Sequence, residues 1–136
     1  MTIKIYCTTY FRNALKSASK KHPSLLNSDM KRTIGLSKLD KPPAHVNEIS
    51  SLSIPWKVYK MRVLCVSDGK KKNYRCIYSK NDSLILFIDI YHKGSQNNHN
   101  VSMIRDCLHN IDVKCDSLDG SFYEILNDDC NSIFLK

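Results

Sequence analysis

The stretch from Leu84 to Tyr91 is apolar at every position except Asp89. A strand with one face in water alternates apolar and polar residues, so a continuous apolar stretch of this length indicates a strand buried on both faces. It is also far shorter than the ~18 consecutive apolar residues that a membrane-spanning helix needs. We therefore predict that this stretch is the central strand of a sheet.

The segments around this strand carry the periodicities of further strands and helices. Thr8-Thr9 can cap a helix whose apolar residues recur at helical spacing, and Ser24 can cap a second helix after His22-Pro23. The predicted order is strand 3–7, helix 9–18, helix 24–39, strands 57–64, 74–78 and 84–91, and a helix near 98–110. This order predicts an α+β fold, with a helical hairpin packed on one face of a small antiparallel-rich sheet and a C-terminal helix.

Two segments do not follow these patterns. Residues 40–55 contain Pro42-Pro43 and several serines without a sustained period, so we predict a surface loop there. Residues 112–136 hold two lysines and six acidic residues, a net charge of −4, which leaves +12 for residues 1–111. We treat 1–111 as the main domain and 112–136 as an acidic extension. Its apolar runs 122–126 and 133–135, with an Asp119-Gly120 turn, predict an added strand or hairpin of the same domain. This extension is either purely structural or brings aspartates near the basic residues of the strands predicted at 57–64, 74–78 and 84–91.

Charge and size limit the class of protein. The chain has 136 residues, enough for one domain, and 21 Lys and Arg against 13 Asp and Glu. A net charge of +8 favours a polyanionic partner, with nucleic acid first. The N-terminal residues lack the apolar stretch of a signal peptide, so we expect a soluble, cytoplasmic protein that does not bind membranes. In that compartment the six cysteines are expected to be free thiols.

Basic residues recur on the three predicted meander strands. Lys60 and Arg62 are two residues apart and therefore share a strand face, Arg75 lies on the next strand, and His92-Lys93 follows the third. Five such groups on adjacent strands would form a patch suited to a phosphodiester. The alternative is that these side chains are simply solvated.

Other residues are candidates for binding rather than chemistry. The lysine run can follow a nucleic-acid backbone or simply be solvated, and Tyr74, Tyr78 and Tyr91 can either stack on bases or pack in the core. The RNA-binding candidates are Lys57, Lys70, Lys71, Lys72, Tyr74 and Tyr91. The sequence has no Cys-x-x-Cys pair, its histidines are scattered, and it has no glycine-rich phosphate loop, so we predict neither a metal nor a cofactor.

Three motifs resemble the RelE/ParE superfamily of bacterial type II toxins. They are 58–62 (Val-Tyr-Lys-Met-Arg), 73–78 (Asn-Tyr-Arg-Cys-Ile-Tyr) and 86–94, which ends in Tyr-His-Lys-Gly. The resemblance covers roughly residues 3–110 and implies a RelE-like fold. It also implies a toxin that cuts mRNA, often on the ribosome, without metal, and that a small antitoxin protein neutralises.

Within the RelE-like branch, the resemblance implies that Lys60, Arg62, Arg75, His92 and Lys93 form the catalytic set. Some relatives carry an arginine and a tyrosine just beyond the last strand, where this chain has Gly94-Ser95-Gln96-Asn97. His92 would then serve as the acid or the base, because imidazole titrates near neutral pH. Arginines can clamp phosphate oxygens, and a lysine beside other cations can itself act as a base.

Two other functions remain open from the sequence. One is a ParE-like toxin that inhibits DNA gyrase, and the other is an RNA-binding module without catalytic activity. The fold does not distinguish them. Asp89 is either a satisfied polar residue on a buried strand or a group that orients an arginine.

Overall fold

A single six-stranded sheet organises the chain. The computed structural model describes residues 3–50, 52–115, 117–118 and 120–134, and all statements below concern these residues. The strands are β1 (Lys4–Cys7), β2 (Val46–Ile49), β3 (Val58–Cys65), β4 (Lys71–Lys80), β5 (Leu84–His92) and β6 (Tyr123–Glu124), and the helices are α1 (Thr9–Lys21), α2 (Ser28–Ser37) and α3 (Val101–Leu108). The spatial order is β2-β3-β4-β5-β1-β6, and only the β1–β5 pair is parallel. The α+β class predicted from the sequence is confirmed.

The strand β5 lies inside the sheet, between β4 and β1. Every residue from Leu84 to Tyr91 is buried, including Asp89. One face of the strand packs under α1 and α2, and the other packs under α3. The prediction of a central strand buried on both faces is therefore confirmed.

The helix α1 begins where the sequence predicts. The Thr8 hydroxyl accepts a hydrogen bond from the Phe11 backbone N–H at 3.0 Å and donates one to the Ile88 carbonyl at 2.6 Å. Such a cap contributes about 1 kcal/mol. Here it also ties the start of α1 to the central strand.

The second helix begins later than predicted. Pro23–Leu25 form a single 3₁₀ turn, and α2 starts only at Ser28. The Ser24 hydroxyl does not cap a helix, because it donates instead to the buried carboxylate of Asp29. The two helices lie on the same face of the sheet, with α1 over β5 and α2 against β3.

The predicted loop at 40–55 contains a strand. Residues 46–49 form β2, an edge strand that pairs antiparallel with the start of β3. Its two central residues are exposed and only its ends are partly buried, so the alternation that identifies longer strands is missing. Leu52 and Trp56, which follow, are buried under the face covered by α3.

The described part of the C-terminal segment packs on the domain. The strand β6 pairs with β1, and Ile125, Cys130 and Ile133 are buried. The guanidinium of Arg12 lies over the rings of Tyr123 and Phe134, at 5.0 and 5.2 Å from their centroids. This fits the predicted added strand. Ile133 and Phe134, however, belong to a 3₁₀ helix (Cys130–Phe134), which corrects the predicted strand there, and Leu135 and Asp119 lie outside the described residues.

Two acidic groups of that segment, Glu124 and Asp128, lie away from the strands carrying the predicted basic patch. The β6 edge is at the opposite side of the sheet from β3. The carboxylate of Asp128 accepts hydrogen bonds from Lys38, at the end of α2, at 2.7 and 2.8 Å. None of the described helices is long and apolar enough to cross a membrane. All six cysteines are free thiols.

Candidate functional site

The register of the meander aligns basic side chains on one face of the sheet. Lys60 pairs with Ile77, and Arg75 pairs with both Arg62 and Tyr91. Paired residues on neighbouring strands project to the same face. Because Ile77 and Tyr91 belong to the core under α3, Lys60, Arg62 and Arg75 lie on that same face. We call this the basic face.

The side chain of Lys60 contacts the loop that precedes α3. Its Nζ lies 3.2 Å from Nδ1 of His99 and donates a hydrogen bond to Oδ1 of Asn98 at 3.0 Å. Asn98 also accepts from the backbone N–H of His99 at 2.9 Å, which holds the loop against the lysine. The next residue, Asn100, caps α3 by accepting from the Met103 N–H. The helix cap thus places His99 beside Lys60.

The surroundings of this pair lower the pKa of both of its members. Burial lowers the pKa of Lys60, and the positive charges of Lys93 and Arg75 lower it further. Burial also lowers the pKa of His99, and the Lys60 charge adds to the effect. At neutral pH the imidazole is therefore neutral. An ammonium group has only protons to donate, so Nδ1 of His99 accepts and its remaining proton is on Nε2.

Two further cations are held next to the pair. Nη1 of Arg75 donates to the carbonyls of Lys72 and Tyr74, at 2.6 and 3.2 Å. Nζ of Lys93 donates to the Asn97 carbonyl in the loop before His99. A neutral imidazole is a weak acid by itself, so His99 can give its Nε2 proton to a developing oxyanion only if the Lys60 ammonium replaces that proton at Nδ1. Arg75 and Lys93 would stabilise the charge of the oxyanion.

The predicted member His92 is not on the basic face. It pairs with Tyr74, which belongs to the core under α1 and α2, and the two rings meet edge to face at 5.1 Å. Its Nδ1 accepts a hydrogen bond from the Gly94 N–H at 3.1 Å. The position is one residue past Tyr91, and successive strand residues point to opposite faces. The structure therefore places His99, and not His92, beside Lys60.

The predicted stacking tyrosines are core residues. Tyr74 is 5% exposed and Tyr91 is 6% exposed, and they pack in the two different cores. Neither ring presents an open face to a base, which corrects their assignment as RNA-stacking residues. The lysines Lys57, Lys70, Lys71 and Lys72 are exposed, as the binding prediction requires.

Arg62 shares the basic face but stands at its margin. The strand β2 pairs with β3 only as far as Met61, so the stretch from Arg62 onward is at the edge of the sheet. There His45 and Lys72 line a small cavity together with Arg62. Of the five predicted catalytic residues, the structure thus brings Lys60, Arg75 and Lys93 together, leaves Arg62 at the edge, and separates His92.

The sequence reasoning missed Asn98 and His99. Both lie between β5 and α3, and the helix predicted near 98–110 begins only at Val101, with Asn100 as its N-cap. The signal that points to them is an asparagine cap preceded directly by a titratable residue, in a loop that returns toward the basic strands.

Asp89 is a buried carboxyl on the central strand, and we expect it to make stability depend on pH. It pairs with Ile77, is 7% exposed, and burial raises its pKa from 3.8 to about 6. A raised folded-state pKa means that the folded chain binds the proton more tightly. Its stabilising contribution is therefore complete below about pH 4 and is lost as the pH rises through about 6.

We expect the free energy of unfolding of an Asp89→Asn variant, relative to the unmodified protein, to rise by about 2 kcal/mol between pH 4 and pH 7.5. The other titrating groups are common to both proteins and cancel in the difference. Urea unfolding of both proteins across that pH range measures this. A difference that is constant with pH would contradict the raised pKa.

Among the described residues, no group of three His, Cys, Asp or Glu side chains could hold a metal ion. Comparison with known proteins adds no family assignment. No family model, no curated protein and no solved structure matches the chain. The assignment of a function therefore rests on the residues of the basic face and on the motifs of the sequence.

Proposed function

We propose that this protein is a metal-independent endoribonuclease of the RelE/ParE superfamily, acting as the toxin of a type II toxin–antitoxin system. The observation that carries the proposal is the 3.2 Å contact between Lys60 Nζ and His99 Nδ1, with Arg75 and Lys93 as neighbouring cations. The superfamily and its RelE-like fold are inferred from the sequence motifs. The α+β fold with a meander of basic strands supports them.

The chemistry follows from the protonation states. In metal-free cleavage the ribose 2′-hydroxyl gives its proton to a solvent water and its oxygen attacks the adjacent phosphorus. The bond from phosphorus to the 5′-oxygen breaks, and the products end in a 2′,3′-cyclic phosphate and a 5′-hydroxyl. His99 donates its Nε2 proton to the departing 5′-oxygen. Lys60 supplies a proton to Nδ1 as this happens, so the imidazole stays neutral. Solvent returns a proton to Lys60 after the reaction. Arg75 and Lys93 stabilise the charge on the pentacoordinate phosphorus.

The positive charge of the protein favours two partners, an acidic antitoxin and RNA. An acidic antitoxin is expected to cover the basic face, because residues 1–111 carry a net +12. The RNA substrate is mRNA, and the resemblance favours mRNA bound to the ribosome. Neither partner requires a membrane, and the site of action is the cytoplasm.

The test is to incubate the purified protein with ribosome-bound mRNA and, separately, with free RNA, in the presence of a metal chelator. We expect cleavage products with 2′,3′-cyclic phosphate ends that appear at the same rate with and without chelator. RNA that stays intact under all these conditions would refute the ribonuclease assignment. Inhibition of DNA gyrase supercoiling by the same preparation would then favour the ParE-like alternative.

A further inference from the structure

A small cavity of about 140 Å³ opens where α2 passes the outer edge of β3, away from the Lys60–His99 pair. Its walls combine basic or titratable side chains with an apolar floor. The residues that matter are Arg32, His45, Arg62 and Lys72, with Leu36 and Leu64 below them. We call this the edge cavity.

Several segments distant in sequence build the edge cavity. Arg32 comes from α2, and its Nη1 donates to the Leu64 carbonyl at 3.3 Å, which fastens the helix to β3. His45 directly precedes β2, whose first residue pairs with Met61, so it stands next to Arg62. Lys72 comes from the start of β4. The tertiary structure, and no local motif, brings these four groups together.

Positive charge in the edge cavity is poorly balanced by the described acidic groups. The carboxylate near Arg32 belongs to Asp29, at 3.7 Å. That carboxylate is fully buried and also accepts hydrogen bonds from the Ser24 hydroxyl and the Val66 N–H. Burial, Lys72 and Arg62 together lower the pKa of His45, as expected for an imidazole among cations. An anion in the cavity would relieve this repulsion.

We infer that the edge cavity is a second phosphate subsite, which binds a backbone phosphate of the RNA away from the phosphate that reacts. The inference rests on the proposed ribonuclease function. Arg62 is two residues from Lys60, about 6.6 Å along β3, on the same face. Arg62 belongs both to the basic face and to the cavity, at the edge of β3 that β2 leaves open. An RNA chain with its reacting phosphate at Lys60 can therefore pass over this edge and extend another phosphate to the cavity. Arg32 and Arg62 provide forked N–H donors for it, and Lys72 adds charge.

The test is direct binding of a short fluorescent single-stranded RNA that is 2′-O-methylated throughout, so that it cannot be cut. We expect Lys72→Ala and Arg32→Ala each to weaken binding about 10-fold. Each should also reduce the slope of log affinity against log salt by about 0.7. Lys20→Ala, which removes an exposed charge from α1, serves as the control and should leave both quantities unchanged. The Lys72 variant keeps the test valid if loss of Arg32 disturbs α2.

The outcomes separate the two proposals. Unmodified protein that does not bind the RNA overturns the subsite, whereas the ribonuclease function is overturned only by the cleavage assay with ribosome-bound and free RNA. RNA binding that neither variant weakens overturns the subsite alone. A thermal stabilisation by inorganic phosphate that the Arg32→Ala/Lys72→Ala double variant loses, with RNA affinity unchanged, identifies a free-anion site and also overturns the subsite for RNA.

Discussion

Replacing Lys60 with methionine is expected to lower the rate of RNA cleavage by about 10²-fold or more. The side chain contacts His99 and Asn98 and is partly buried beside Lys93 and Arg75. Methionine keeps a similar length but has neither the charge nor the proton. The variant therefore removes the group that supplies a proton to Nδ1 of His99. Single-turnover cleavage at saturating protein measures the loss at the chemical step.

Two matched variants separate proton transfer from charge. Lys57→Met removes an exposed lysine just before the same strand, and this lysine is a candidate for RNA binding and not for chemistry. At saturating protein a loss of binding does not slow the chemical step, so the single-turnover rate should change by less than about twofold. Lys60→Arg keeps the charge, but arginine does not give up its proton at neutral pH, so the rate should stay low. Full activity in Lys60→Arg would show that the position contributes only electrostatics. Equal losses in Lys57→Met and Lys60→Met would contradict the site.

Replacing His99 with alanine is expected to reduce cleavage by a similar factor, about 10²-fold, whereas His92→Ala should leave the rate within about twofold. The difference follows from the sheet: His99 lies beside Lys60, and His92 packs against Tyr74 on the other face. Added imidazole should partly restore the His99→Ala variant, because a free imidazole can occupy the vacated space and donate the same proton. It should have no effect on Lys60→Met.

The comparison of the two histidines also tests the assignment made from the motif alone. If His92→Ala abolishes cleavage while its thermal unfolding is unchanged, and His99→Ala remains active, the site lies on the other face of the sheet and the proposed chemistry is wrong. Thermal unfolding is the necessary control, since His92 accepts a hydrogen bond that shapes the turn at Gly94.

Sequence patterns are sufficient to predict the helices and strands whose apolar residues repeat over enough positions. The unbroken apolar run of β5 identifies the central strand, because only a strand covered on both faces hides so many successive side chains from water. The Thr8 cap and the apolar spacing of Phe11 and Leu15 locate α1. The edge strand β2 was not predicted, because its four residues lack an alternating pattern and are held mainly by pairing with β3.

Some residues of the basic face could be predicted from the sequence, but the arrangement of their side chains in space could not. Strand alternation places Lys60 and Arg62 together, and the meander adds Arg75. An irregular register decides which face each side chain at the end of β5 points to. Ile77 of β4 pairs with Asp89, and the next residue, Tyr78, pairs with Phe87, so Ile88 has no partner on β4. Such a bulge shifts the alternation by one residue. Only the tertiary structure decides which of the later side chains point to the basic face.

His99 and the edge cavity depend on the tertiary structure even more. His99 is distant in sequence from Lys60 and comes beside it because α3 packs across the sheet and its capped start returns the loop to β3. Arg32, His45, Arg62 and Lys72 meet only because α2 is fastened to the edge of β3. A sequence pattern reports the neighbours that a helix or strand creates at fixed spacing. Contacts between elements depend on how their apolar faces pack, and this packing decided where the charged groups converge.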